Sequence, residues 1–87
     1  RRVAICSGGG GSFIAPQLLE LCDVYITGDV KYSGARNAHN MGLNVIIAPH
    51  YETEKYAMHI LADWCRMNLP DAEVVCSQSN RNVVGRV

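Results

Sequence analysis

Two apolar patterns alternate along the chain: short continuous runs and longer stretches with helical spacing. Continuous runs at residues 3–6, 24–27 and 43–48 predict three strands, because short apolar runs rich in β-branched residues are typical of buried parallel sheets. A fourth run, residues 73–77, follows a Pro70-Asp71 turn and predicts a fourth strand.

Three stretches next to these strands carry apolar residues on one helical face. The first follows a glycine-rich loop, and the second, residues 30–41, ends at Gly42, which is a natural helix stop. A third helix is predicted over residues 51–67. Its apolar residues recur at helical spacing and predict one buried stripe: Ala57, Ile60, Leu61, Trp64 and Cys65.

The alternation of strands and helices predicts right-handed crossovers and a mainly parallel sheet. We therefore expect a single α/β domain over residues 1–87, with a four-stranded sheet and flanking helices. The loops after the first three strands, residues 7–12, 27–29 and 49–54, would emerge at one carboxyl edge of that sheet. This edge is where open α/β folds bind ligands.

The composition narrows the range of partners. The chain has 87 residues, 48% of them hydrophobic, and its eight basic residues balance eight acidic ones. This neutrality argues against a nucleic-acid partner, and no apolar segment approaches the roughly 20 residues of a membrane span. Four cysteines without a C-x-x-C pair favour buried, reduced thiols. We expect a cytoplasmic protein, with mitochondria as the alternative, and the start at Arg1 suggests a piece of a longer polypeptide.

The start of the third helix places an imidazole and a carboxylate four residues apart, at His50 and Glu54. Positions i and i+4 share a helix face, so the two side chains can converge on one point. Glu54 falls toward the apolar stripe and is expected to face the interior, whereas Glu52 falls on the polar side and is expected to be solvated. Two interpretations stay open: the pair binds a divalent metal, or the helix dipole and the free N–H groups of the first turn satisfy Glu54.

The loop after the first strand contains four consecutive glycines and a serine: Gly8, Gly9, Gly10, Gly11 and Ser12. Consecutive backbone N–H groups next to a helix can hold an anion such as a phosphate. The loop matches neither a P-loop nor G-x-G-x-x-G. A strand-to-helix turn that uses the conformational freedom of glycine is therefore an equally good interpretation.

Two further candidates follow the second strand. Asp29 could contact a ligand or take part in catalysis, or it could cap the second helix. Thr27 could contact a substrate, or it could be an ordinary strand residue.

Three segments in unbroken order carry a family resemblance: residues 6–12 (CSGGGGS), 23–32 (DVYITGDVKY) and 42–54 (GLNVIIAPHYETE). Together they resemble the carboxyl-terminal half of the Nif-three-like family, also called GTP cyclohydrolase I type 2. The similarity covers roughly residues 1–80, so it is more specific than any single motif. The chain would then be the carboxyl-terminal portion of a longer protein with a two-half fold.

The resemblance implies a dinuclear metal centre between two halves of each protomer in a toroidal homohexamer. The His-x-x-x-Glu ligand pair near the carboxyl end of the family's sequences aligns with His50 and Glu54. The family's adjacent His pair and its Asp ligand have no counterpart in this chain. The two ions could be zinc, iron, manganese or magnesium. Asp29 would not bind the metal itself but would orient a water molecule or a ligand nitrogen. Pro49 and Ser33 depart from the family pattern, which commonly has Gly and His at these positions.

These features imply a metal-dependent hydrolase acting on a nucleotide-like substrate such as GTP, complete only with the missing half. The alternative is a non-catalytic regulatory or protein-interaction module that binds metal and assembles into a ring. A third interpretation is a purely structural domain in which His50 and Glu54 are satisfied locally.

Overall fold

The computed structural model describes residues 1–85 and contains a parallel three-stranded sheet. The strands are β1 (Val3–Cys6), β2 (Val24–Thr27) and β3 (Asn44–Ile47), in the order β1-β2-β3. Val3 pairs with Val24 and Val24 with Asn44, so all three strands run in step toward one carboxyl edge. The predicted α/β class and parallel pairing are confirmed.

Three α-helices connect and follow the strands. They are α1 (Pro16–Leu21), α2 (Tyr32–Met41) and α3 (His50–Asn68), and a short 3-10 turn at Gly10–Phe13 precedes α1. The predicted stop of α2 is confirmed, because Gly42 adopts a left-handed conformation with φ +82° and its N–H donates to the carbonyls of Ala38 and His39. No helix within residues 1–85 combines the length and apolar character needed to cross a membrane.

The core lies on one face of the sheet, under α1 and α2. Side chains alternate between the two faces of a strand, and the inward set packs with residues from the helices and loops. The buried cluster consists of Ile14, Cys22, Tyr25, Ala38 and Leu43. The opposite face is bare, since Val3, Ile5 and Ile46 expose 58%, 73% and 53% of their surface.

The prediction of a fourth strand is wrong within the described residues, because residues 73–77 join no sheet. This segment runs beside α3 in the opposite direction instead. The Arg66 guanidinium donates to the carbonyl of Val74 (3.4 Å), and the Tyr51 hydroxyl donates to the carbonyl of Asn80 (3.1 Å). The helix rises about 22 Å between its two anchors, and six extended residues span about 20 Å. The backbone of this segment therefore bonds to side chains of α3. A strand would need backbone groups of a neighbouring strand as its partners.

The predicted burial of the α3 stripe is also wrong for this chain. Ile60, Leu61 and Trp64 are 71%, 52% and 56% exposed, and the buried residue of the helix is Ala62. Only the first turn of α3 lies against the carboxyl edge of the sheet, and the segment after the helix covers a small part of the rest. Helical spacing identifies a surface suited to burial, but it does not supply the surface that covers it.

Candidate metal centre

The three loops predicted to share one sheet edge do meet there. A side chain at Gly28 would place its Cβ 2.5 Å from the carbonyl oxygen of Gly8 and 3.1 Å from the Cα of His50. The Ala48 N–H donates to the Thr27 carbonyl (2.8 Å) and continues the strand pairing into the loop before α3. Glycine at position 28 is therefore the close approach that brings the three loops together.

His50 and Glu54 converge on the first turn of α3, as their spacing predicts. Nε2 of His50 lies 2.9 Å from Oε2 of Glu54. The predicted difference in burial is wrong, however, because the Glu54 side chain is 51% exposed and that of Glu52 is 40% exposed. Glu52 forms an ion pair with Lys55 on the helix surface. The partner of Glu54 is thus the imidazole of His50. The two glutamates differ in the side chain that they contact rather than in how far they are buried.

Asp29 contacts His50 from the other side of the ring. Its carboxylate bonds to Nδ1, so the two ring nitrogens of His50 face two different carboxylates. Asp29 does not cap α2, which begins at Tyr32 after Lys31. It has φ +38°, and it is the one non-glycine residue within the described range with a positive φ. A strained backbone of this kind persists only where the surroundings hold it, and here it aims the carboxylate at His50.

The two carboxylates shift the protonation of the imidazole. The hydrogen bond that the Nδ1–H of His50 donates to Asp29 is the largest cause that raises the pKa of His50 above its ordinary value. The charges of Asp29 and Glu54 raise that pKa further, and partial desolvation opposes them. A proton on Nδ1 directed at Asp29 leaves Nε2, the atom beside Glu54, as the position where a proton and a metal ion compete.

Gly8 leaves the space in which His50 and Glu54 approach the loop. A Cβ at this position would lie 2.0 Å from Oε1 of Glu54 and 3.0 Å from Nε2 of His50. Gly8 also has φ +72°, a conformation that side chains disfavour. The lack of a side chain at Gly8 therefore lets the two donor groups pack against the loop.

Thr53 links the glycine loop to α3 and was not predicted from the sequence. Its hydroxyl accepts the Gly8 N–H (3.0 Å) and donates to the His50 carbonyl (2.9 Å). The available signal was its place between His50 and Glu54, at a point where a hydroxyl can reach the free backbone groups of a first helical turn.

The remaining loop glycines pack closely over the end of β2. A Cβ on Gly10 would lie 2.2 Å from Oγ1 of Thr27, and the Tyr25 hydroxyl donates to the Gly10 carbonyl (2.8 Å). A Cβ on Gly11 would lie 2.6 Å from the carbonyl oxygen of Asp29. Thr27 is fully buried beneath the loop, and its hydroxyl donates to the Gly28 carbonyl (3.4 Å).

The predicted anion contacts differ in how accessible they are, and Gly11 is partly buried against the Asp29 carbonyl. Gly9 and Ser12 lie exposed on the outer side of the loop, whereas Gly10 and Thr27 form its buried floor. The Gly8 N–H is already bonded to Thr53. Gly9 and Ser12 are the members of the predicted set that are open to solvent.

Two candidate metal-binding side chains converge at this site. Within residues 1–85, no group of three or more His, Cys, Asp or Glu residues is arranged to hold a metal ion. Asp29 sits at the far ring nitrogen, so the converging donors are Nε2 of His50 and the carboxylate of Glu54. An imidazole and a carboxylate suit zinc, iron and manganese, and the lack of a side chain at Gly8 lets both approach the glycine loop.

Comparison with known proteins places these features in a family context. The chain matches the model of the family described as Duf34/NIF3 (NGG1p interacting factor 3) over residues 1–83. Proteins named GTP cyclohydrolase 1 type 2 homolog are 36% identical over 64 residues in Haemophilus influenzae and 37% identical over 68 residues in Escherichia coli K12. These matches cover 74% and 78% of the chain but 26% and 28% of the relatives. The chain thus spans about a quarter of their length.

A solved structure shows the same fold. The crystal structure of a Bacillus cereus protein related to NIF3 superposes with a TM-score of 0.69 at 25% identity. The match covers 98% of this chain and 24% of that protein.

Proposed function

Because the chain belongs to the Duf34/NIF3 family, we propose that it supplies two ligands, His50 and Glu54, to the divalent-metal centre of a metal-dependent hydrolase. The observation that carries the proposal is their convergence at Gly8, with Nε2 and Oε2 2.9 Å apart in a position that a side chain on residue 8 would fill.

The residues around the pair have distinct tasks in this proposal. Nε2 of His50 and the carboxylate of Glu54 hold zinc, iron, manganese or magnesium. Such an ion supplies a Lewis acid that polarises an electrophile and lowers the pKa of water. Asp29 accepts a hydrogen bond from the Nδ1–H of His50, which fixes the ring and keeps Nε2 directed at Glu54. Thr53 holds the glycine loop against the first turn of α3.

The rest of the centre comes from outside this chain. Two donors fall short of the ligand number that divalent ions require, and the chain spans about a quarter of the length of its relatives. We propose that the complete protein, of which this chain is the carboxyl-terminal portion, holds two ions per protomer and assembles as a homohexamer.

Four free cysteine thiols support a cytoplasmic location.

The proposed substrate is a nucleotide-like small molecule. The names of the Haemophilus influenzae and Escherichia coli relatives support a GTP-type substrate. Gly9 and Ser12, the exposed residues of the glycine loop, are the proposed contacts for a phosphate.

A second candidate function is a non-catalytic metal-binding module that takes part in protein interactions and assembles into a ring. The exposed apolar residues of α3 favour it, since Ile60 and Met67 leave 71% and 82% of their surface open. Large exposed apolar patches mark interaction surfaces. The family description as an interacting factor points the same way.

A pair of glutamate variants tests the enzyme proposal in the complete protein, purified without chelator. We expect Glu54→Ala to lower both the metal content and the turnover of GTP, since it removes a proposed ligand. Glu52→Ala is the matched control, because it removes only a partly exposed ion pair with Lys55 on the helix surface, and such pairs contribute little. Equal metal content and turnover in the two variants would contradict the ligand assignment. Stoichiometric metal without turnover of GTP would favour the non-catalytic module.

A further inference from the structure

A cavity of about 1000 Å³ adjoins the candidate metal centre. One part of its wall comes from the loops and first turns of α3, including Asp29, His50 and Glu54. The other part comes from the segment after α3, over residues 80–84. Ligand pockets commonly measure about 300–1000 Å³ and combine apolar walls with a few converging polar groups. The volume therefore suits a ligand the size of a nucleotide.

The segment after α3 is held in place along this wall. The Tyr51 hydroxyl donates to the Asn80 carbonyl (3.1 Å), and the side chain of Asn82 accepts the N–H of Val84 (2.9 Å). The first bond ties the segment to α3 just before Arg81, and the second closes a local turn just after it. Arg81 lines the cavity between these two bonds.

The charges on the wall are already paired except at Arg81. Asp29 and Glu54 both contact His50, and Lys55 is paired with Glu52. Among residues 1–85, the Arg81 guanidinium forms no ion pair. Its planar set of donors matches the oxygens of a phosphate.

The apolar part of the wall is open to solvent. Val83 and Val84 line the cavity while exposing 93% and 76% of their surface, and Met58 on the facing helix is 54% exposed. A flat organic group bound between them would remove this surface from water, which is favourable.

We propose that this cavity binds a phosphorylated small molecule of nucleotide size, with Arg81 contacting its phosphate and Met58, Val83 and Val84 covering its flat organic portion. The inference rests on the proposed function, because it places the substrate beside His50 and Glu54. It adds a phosphate contact in the segment after α3, because Arg81 lines this cavity whereas Gly9 and Ser12 do not.

A binding comparison between GTP and guanosine tests this inference directly on the 87-residue chain. Titration followed by NMR detects weak binding and reports which residues are contacted. We expect GTP to shift the signals of Met58 and of residues 80–84, and to bind at least about tenfold more tightly than guanosine, the effect of one charge-assisted hydrogen bond. Arg81→Gln should remove most of that difference. Arg36→Gln is the matched control, because Arg36 lies exposed on α2 and outside the cavity wall.

Several results would overturn the inference. They are the absence of GTP binding by the unmodified chain, equal binding of GTP and guanosine, and equal effects of Arg81→Gln and Arg36→Gln. Shifts confined to Arg81, without Met58, Val83 or Val84, would indicate simple phosphate attraction and would also overturn it. A parallel zinc titration of the same samples keeps the two proposals separate, since loss of zinc binding concerns His50 and Glu54 and not Arg81.

Discussion

At the scale of single residues, the candidate centre depends on a side chain that is absent at Gly8. A methyl group there would collide with Glu54 and touch His50, and φ +72° adds a backbone cost of about 1–2 kcal/mol for any other residue. We expect Gly8→Ala to lower the free energy of unfolding by at least that amount and to abolish the contribution of Glu54 to metal binding. Urea unfolding and zinc titration measure the two effects.

Gly42→Ala is a matched control for this prediction. Gly42 has φ +82°, and a Cβ built on it meets no atom within 4 Å. The control therefore carries the backbone strain without the collision, so it should lower stability and leave zinc binding unchanged. Equal zinc affinity in the two variants would show that the space beside Gly8 does not matter for the site.

The residues of the site differ in how far the sequence predicts them. The approach of His50 to Glu54 follows from helical spacing, which needs no knowledge of the fold. The contact between Asp29 and His50 joins residues 21 positions apart and depends on the positive φ of Asp29. The role of Gly8 depends on two loops meeting at the sheet edge. Both are tertiary facts, which a local pattern does not encode.

At the scale of elements, the strands and helices follow from local patterns, but their burial does not. The three strands and the stop of α2 at Gly42 are confirmed. The fourth strand is wrong because a strand needs a neighbour, and residues 73–77 lie beside α3 instead. The α3 stripe stays exposed because this chain supplies little to cover it.

The exposure of α3 leads to a stability prediction. Trp64 is 56% exposed and Leu43 is 4% exposed. We expect Leu43→Ala to lower the free energy of unfolding by about 2–5 kcal/mol, because it opens a cavity in the core. Trp64→Ala should change it by less than about 1 kcal/mol, as expected for a surface position. Urea unfolding at low protein concentration measures both values. A loss at Trp64 as large as that at Leu43 would mean that α3 is packed in solution.

At the scale of the whole molecule, two large apolar surfaces lack a cover within the described residues. One is the sheet face that carries Val3, Ile5 and Ile46, and the other is the outer side of α3. Both are consistent with a chain that spans about a quarter of the length of its relatives. The proposed metal centre is incomplete in the same way, because the candidate donors brought together are His50 and Glu54. We therefore regard the chain as one contributor to a site that further ligands complete.

Zinc titration of the 87-residue chain by calorimetry shows whether His50 and Glu54 are two ligands of an incomplete metal site. Such a site should bind zinc weakly and lose it on dialysis, and its affinity should fall further as the pH is lowered through the raised pKa of His50, since the proton competes for Nε2. Loss of a partner that only orients a ligand costs about 10–100-fold in affinity, so His50→Ala and Glu54→Ala should each cost at least tenfold. Tight binding of one zinc per chain that survives dialysis, or an affinity unchanged in both variants, would contradict the assignment of His50 and Glu54 as two ligands of an incomplete site.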